Sequence, residues 1–183
     1  MRFFSQLAAF AATAATVASA TNTITFINQD STVRTIYYTG TSVIEATEIQ
    51  GNDQVSVDIP EGWIGNWYSV SEGQENTPGM LGEVTFQGGD GKTYFDVSSI
   101  VDPNDKNGVK QLFPASEMDS TVKTLISGCV VFPCNTVYIE WNDVQTVVTT
   151  ETDLVCTLGN ASEDVETRDE RHLVARKFVL GQY

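Results

Sequence analysis

Two carboxylates that could do acid–base chemistry, Glu83 and Asp96, lie in 82-GEVTFQGGDGKTYFDVS-98, a stretch that its glycines fold back on itself. The loop can be the two residues Gly89-Asp90 or the four residues 88-GGDG-91. Either way Gln87 faces Lys92, Phe86 faces Thr93, Thr85 faces Tyr94, Val84 faces Phe95 and Glu83 faces Asp96. In this register Val84, Phe86 and Phe95 share one face, while Glu83, Thr85, Gln87, Lys92, Tyr94 and Asp96 share the other, so the alternation supports the pairing independently of the turn. Directly opposed side chains have Cβ atoms roughly 4.5–5.5 Å apart, and like charges there repel. One carboxyl is therefore expected to keep its proton while the other stays ionised. A proton donor beside a carboxylate is what glycoside hydrolysis uses, so the pair is a candidate acid and base. The competing reading is a solvated hairpin whose two acids point apart into water.

Other chemistry has less support. Trp63, Trp67 and Tyr68 follow the 60-PEG-62 turn and offer flat apolar faces that suit either sugar stacking or a core. The single histidine, His172, sits in a charged tail far in sequence from all three cysteines and would have to leave that tail to serve a nucleophile in the sandwich. Three cysteines, Cys129, Cys134 and Cys156, fall short of the four closely spaced ligands of a zinc site. No metal and no cofactor are therefore expected. In an oxidising compartment three cysteines give one disulfide and one remaining thiol.

The elements that must position these residues are short strands. Residues 1–20, MRFFSQLAAFAATAATVASA, have the charge, apolar run and small-residue cleavage site of a secretory signal peptide. No later stretch reaches the ~18 apolar residues of a membrane span, so a secreted, extracellular or wall-associated chain without membrane insertion is expected. The full sequence carries 10 Lys+Arg against 24 Asp+Glu, a net charge of −14 that repels phosphate backbones and excludes a nucleic-acid partner. From Thr21 to Gly159, β-type runs alternate with turns: Ile24 and Phe26, then Val33, Ile36 and Tyr37, then 54-QVSVDI-59, 63-WIGNWYSV-70, 83-EVTFQ-87, 92-KTYFDV-97, 136-TVYIEW-141 and 144-VQTVVTT-150. Such spacing implies an all-β antiparallel sandwich or barrel. Residues 160–183 form a charged tail, partly disordered or a short helix capped by Ser162, and Asn160-Ala161-Ser162 is a glycosylation sequon.

In order along the chain, the segments TITFIN (23–28), 60-PEG-62, 81-LGEVTF-86, 94-YFDVS-98, 128-GCVVFPC-134 and 153-DLVCTLG-159 resemble the thaumatin-like proteins. The resemblance is strongest to the short secreted fungal members associated with conidial walls. It implies a β-sandwich, here without the family's cysteine-rich loop domain, and an acidic cleft that binds β-1,3-glucan. Glu83 and Asp96 match two cleft acids and Asp102 a third, with Asp105 the alternative. Trp67 occupies the cleft arginine's position, and Thr136 that of the last aspartate. The family pattern also implies a Cys129–Cys156 disulfide, with Cys134–Cys156 as the other connectivity. The resulting expectation is a secreted wall protein of germinating conidia that binds β-glucan through Glu83, Asp96, Asp102, Trp67 and Tyr94. A weak endo-β-1,3-glucanase using Glu83 and Asp96, and a surface adhesin or antigen with a protein partner, are the alternatives.

Overall fold

The computed structural model describes residues 22–160, so the expected signal peptide at 1–20 and the expected charged tail beyond Asn160 lie outside the described residues. Within them the chain forms eleven strands and one 3-10 turn at Ala115–Glu117. Strands β1 (Asn22–Asn28), β4 (Gln54–Ile59), β8 (Val109–Pro114), β9 (Ser127–Gly128) and β11 (Asp153–Leu158) make one sheet, in the order β4-β1-β11-β8-β9. The second sheet runs β10-β7-β6-β5-β2-β3, from β2 (Arg34–Gly40), β3 (Thr47–Ile49), β5 (Ile64–Ser71), β6 (Leu81–Thr85), β7 (Thr93–Ser98) and β10 (Val147–Thr149). Neighbours are antiparallel except β1 and β11. Two sheets with a shared apolar filling make a β-sandwich, as alternation predicted.

The filling follows from period-2 patterning. On β1, Asn22, Ile24, Phe26 and Asn28 turn inward and the residues between them do not. Phe26 meets Trp67 of the opposite sheet edge-on, ring centroids 5.7 Å apart at 87°, a geometry that sets a ring's positive edge against its partner's negative face. Ile24, Ile36, Phe95, Leu112, Leu154 and Cys156 complete the layer. Glycine is required where indoles lie flat on neighbouring strands. A Cβ on Gly82 would stand 2.4 Å from the Trp67 ring, and one on Gly65 2.5 Å from that of Trp63.

Several expectations change. The run 136–141 is not a strand, because only Tyr138 bridges to Ser98 before the chain turns away. Strands β8 and β11 lie outside the runs that alternation marks. Both are buried along nearly their whole length, Lys110 included, so neither shows the alternation that marks a half-exposed strand. The disulfide joins Cys129 to Cys134, correcting Cys129–Cys156 and its alternative Cys134–Cys156. Cys156 points from β11 into the space between the sheets, fully buried, where its sulfur accepts the Trp67 indole N–H at 3.4 Å. Cys129 and Cys134 lie on a surface loop beyond β9, and a thiol committed to the core cannot reach them.

Candidate functional site

Hairpin β6–β7 has the register expected from its sequence: Thr85 opposite Tyr94, Val84 opposite Phe95 and Glu83 opposite Asp96. Val84, Phe86 and Phe95 are buried, while Glu83, Thr85, Tyr94 and Asp96 are half-buried on the outer face. Strand β5 sets Asn66 opposite Glu83, and β2 sets Thr39 opposite Asn66. On the other flank, Thr146 at the entrance to β10 donates from Oγ1 to Asp96 Oδ2 at 3.4 Å. The outer face thus carries a row Thr39, Asn66, Glu83, Asp96, Thr146 across the sheet. Tyr138 leans over its end with its hydroxyl 2.7 Å from Thr146 Oγ1. Asn66, Glu83, Asp96, Tyr138 and Thr146, with Ile64, Thr85 and Tyr94, line an open groove of about 480 Å³.

The two carboxyls face each other across the β6–β7 pair, and a proton between them would let one donate to the other. Partial burial, then the charge of Glu83, then that hydrogen bond push the Asp96 carboxyl up to about 7. Burial also raises Glu83, against the hydrogen bonds from Asp96 and the Ser98 hydroxyl that hold it down. Geometry agrees with the protonation: Asp96 Oδ1 is buried with no protein N–H or O–H donor to it, and a proton shared with Glu83 is the partner this oxygen otherwise lacks. Below about pH 7 the pair holds a proton that one carboxyl can donate while the other accepts. Directly opposed residues have Cβ atoms roughly 4.5–5.5 Å apart, so carboxyls that share a proton there lie closer than the ~6.5–9.5 Å that gives an inverting glycosidase room for its water.

The remaining expected site residues separate. Tyr94 lines the groove, with its hydroxyl donating to Asp90 Oδ2 at 2.9 Å. Trp67 does not line it: the residue is fully buried, because alternation along β5 turns it to the core and presents its neighbour Asn66 instead. Asp102 lines a separate concavity of about 350 Å³ with Arg34, Glu75 and Asp105, and its Oδ1 accepts the Asn104 N–H. Asp105 organises that loop, accepting the Asn107 and Gly108 N–H groups and, at 2.7 Å, that of Met80. Asn160 is exposed, its Oδ1 accepting from Lys110 Nζ at 2.8 Å. Among the described residues no group of three or more His, Cys, Asp or Glu side chains could hold a metal ion, and no helix is long and apolar enough to cross a membrane.

Sequence reasoning missed Asn66, Ser98, Tyr138 and Thr146. Asn66 was legible as the outward neighbour of an inward tryptophan. Thr146 and Tyr138 lie in runs read as strands, and only the fold brings Thr146 to the entrance of β10 and Tyr138 over the groove.

No family model matches the chain. It is 44% identical over 142 residues to the antigenic protein SchS21 of Stachybotrys chartarum, a match covering 76% of this chain and 95% of that protein. Among solved structures it is similar to the protein elicitor MoHrip2 of Magnaporthe oryzae. That likeness has a TM-score of 0.55 at 14% identity, covering 75% of this chain and 98% of the other, and it bears on the fold alone. These findings overturn the thaumatin-like resemblance. The motifs behind it are short alternating strands punctuated by glycine and proline, which any secreted sandwich needs for the same physical reasons.

Proposed function

The chain belongs to the family of the antigenic protein SchS21, and from that premise we propose that it is a secreted fungal surface protein that captures a neutral glycan, the β-1,3-glucan of the cell wall, in the Glu83–Asp96 groove. One observation carries this reading: Glu83 stands opposite Asp96, whose buried Oδ1 lacks a donor, in an open groove flanked by amide, hydroxyl and tyrosine side chains. A paired acid of this kind offers a donor and an acceptor side by side, which suits a sugar hydroxyl that must do both. The open shape suits a polymer passing through rather than a small molecule enclosed. The chain's net charge of −14 disfavours polyanions. Wall remodelling during conidial germination is a setting in which such capture would act. A proton shared between directly opposed carboxyls speaks for binding without hydrolysis.

The test is co-sedimentation of the mature protein with insoluble β-1,3-glucan at pH 5–6, with reducing ends measured in the supernatant. The expected result is binding without release of reducing ends. Glu83→Ala should weaken binding about tenfold, the loss of one charge-assisted hydrogen bond of ~1.4 kcal/mol. Failure of the wild-type protein to sediment, or equal sedimentation of Glu83→Ala, would overturn the glucan reading. A second reading, a surface that binds a protein, is favoured by exposed Val130 and Val131 on the disulfide loop. It would be favoured if sedimentation fails while the protein still adheres to protein-coated surfaces.

A further inference from the structure

Trp141 is 87% exposed, although the chain's other two tryptophans are sealed in the core at 1% and 0%. A solvent-facing indole gives up the burial that a tryptophan usually gains on folding, roughly 25 cal/mol per Å² of apolar surface. Its position makes that exposure informative. Trp141 lies on the turn between Tyr138 and Thr146, both of which line the groove, and their side chains are hydrogen-bonded at 2.7 Å across the base of the turn.

The turn is pinned to the groove-bearing sheet. Tyr138 N–H donates to Val97 O at 2.9 Å, and Ser99 N–H donates to Tyr138 O at 2.8 Å. The turn is also fixed internally, because Asp143 Oδ2 accepts the N–H groups of Ile139 and Glu140 at 2.8 and 2.9 Å. A chain of contacts therefore runs from the carboxyl pair through Thr146 and Tyr138 to the turn that holds the indole out.

We propose that Trp141 is a stacking platform that extends the groove, and that the ligand is a chain of pyranose rings long enough to lie on the carboxyl pair and the indole together. This rests on the glycan reading above and deepens it by naming a polymer over a short oligosaccharide. The indole supplies a flat apolar face to the C–H face of a ring, while the groove takes the hydroxyls. Preorganisation by Asp143 lowers the entropy lost when that face is engaged.

Because Trp63 and Trp67 are sealed, acrylamide quenching of tryptophan fluorescence in the mature, full chain reads Trp141. The probes are a soluble β-1,3-glucan polymer, the corresponding trisaccharide and zwitterionic phosphatidylcholine vesicles. Saturating polymer is expected to protect the fluorescence severalfold and the trisaccharide to leave it accessible. Trp141→Ala should bind polymer about tenfold more weakly with trisaccharide affinity unchanged, and Trp141→Phe, which keeps a flat ring, should recover most of the loss. Glu83→Ala should weaken both ligands. If polymer binds in a Glu83-dependent way while Trp141 stays fully quenchable, the platform is refuted and the groove stands. If neither glucan binds wild type, both readings fall. Protection by vesicles alone would reassign Trp141 to a lipid surface and overturn the proposal.

Discussion

Asp96 combines partial burial, a carboxylate partner and an oxygen that only a shared proton satisfies, so its ionisation acts against the fold. The folded chain holds this proton up to about pH 7, whereas the unfolded chain releases it near the ordinary carboxyl value of 3.8. The native state therefore binds more protons between those limits. Stability from this group is fully present below about pH 4 and is lost as pH rises through 7, by at most about 1.4 kcal/mol per pH unit. Asp96→Asn removes the ionisation and keeps an N–H to offer Glu83. The variant should lose less melting temperature than wild type between pH 5 and pH 8, as calorimetry at both pH values would reveal. An equal loss would mean that Asp96 is already ionised at pH 5. Glu83 and Asp96 were readable as partners because a tight hairpin fixes cross-strand register locally. Their protonation was not readable, because burial by Tyr138 and Thr146 comes from chain more than forty residues away.

At the scale of strands, β5 decides which residues the groove receives. Its pattern sends Trp67 and Ser69 inward and leaves Asn66 and Tyr68 outside, so a one-residue slip would exchange Asn66 for an indole beside Glu83. The indole of Trp67 holds the register by lying against Gly82, the residue next to Glu83. Gly82→Ala should therefore destabilise the protein by about 1–3 kcal/mol through overpacking, measured by urea unfolding. Glucan affinity at temperatures where the variant remains folded should also fall, because the collision is relieved by moving β6. An unchanged midpoint would show that Trp67 has room to shift. The gross alternation of β5 was legible in its sequence. The choice between a tryptophan for sugar stacking and one for the core was not, since one residue type serves both and only the position of β11 across the sandwich decides it.

For the whole molecule, closure of the two sheets fixes the fate of the cysteines. The Cys156 thiol is fully buried, and burial pushes its pKa up to about 12, so it is neither exposed nor nucleophilic in the native state. Native protein should take up no thiol reagent over hours, and denatured unreduced protein should take up one equivalent at Cys156, with Cys129–Cys134 recovered as a single bridged peptide. Rapid native labelling, or a bridge to Cys156, would contradict the sandwich as described. The β class, secretion as an expectation, the acidic surface and the β6–β7 pairing were determined by sequence alone, because each depends on composition or on residues adjacent along a hairpin. Only the tertiary structure decided that Trp67 faces Phe26, that Cys156 stays a thiol, that Asp102 belongs to another concavity and that Trp141 stands in solvent on the turn between Tyr138 and Thr146. Each of those outcomes depends on which distant strand or loop packs opposite the residue, and pairings between distant segments leave no periodic trace in the local chain.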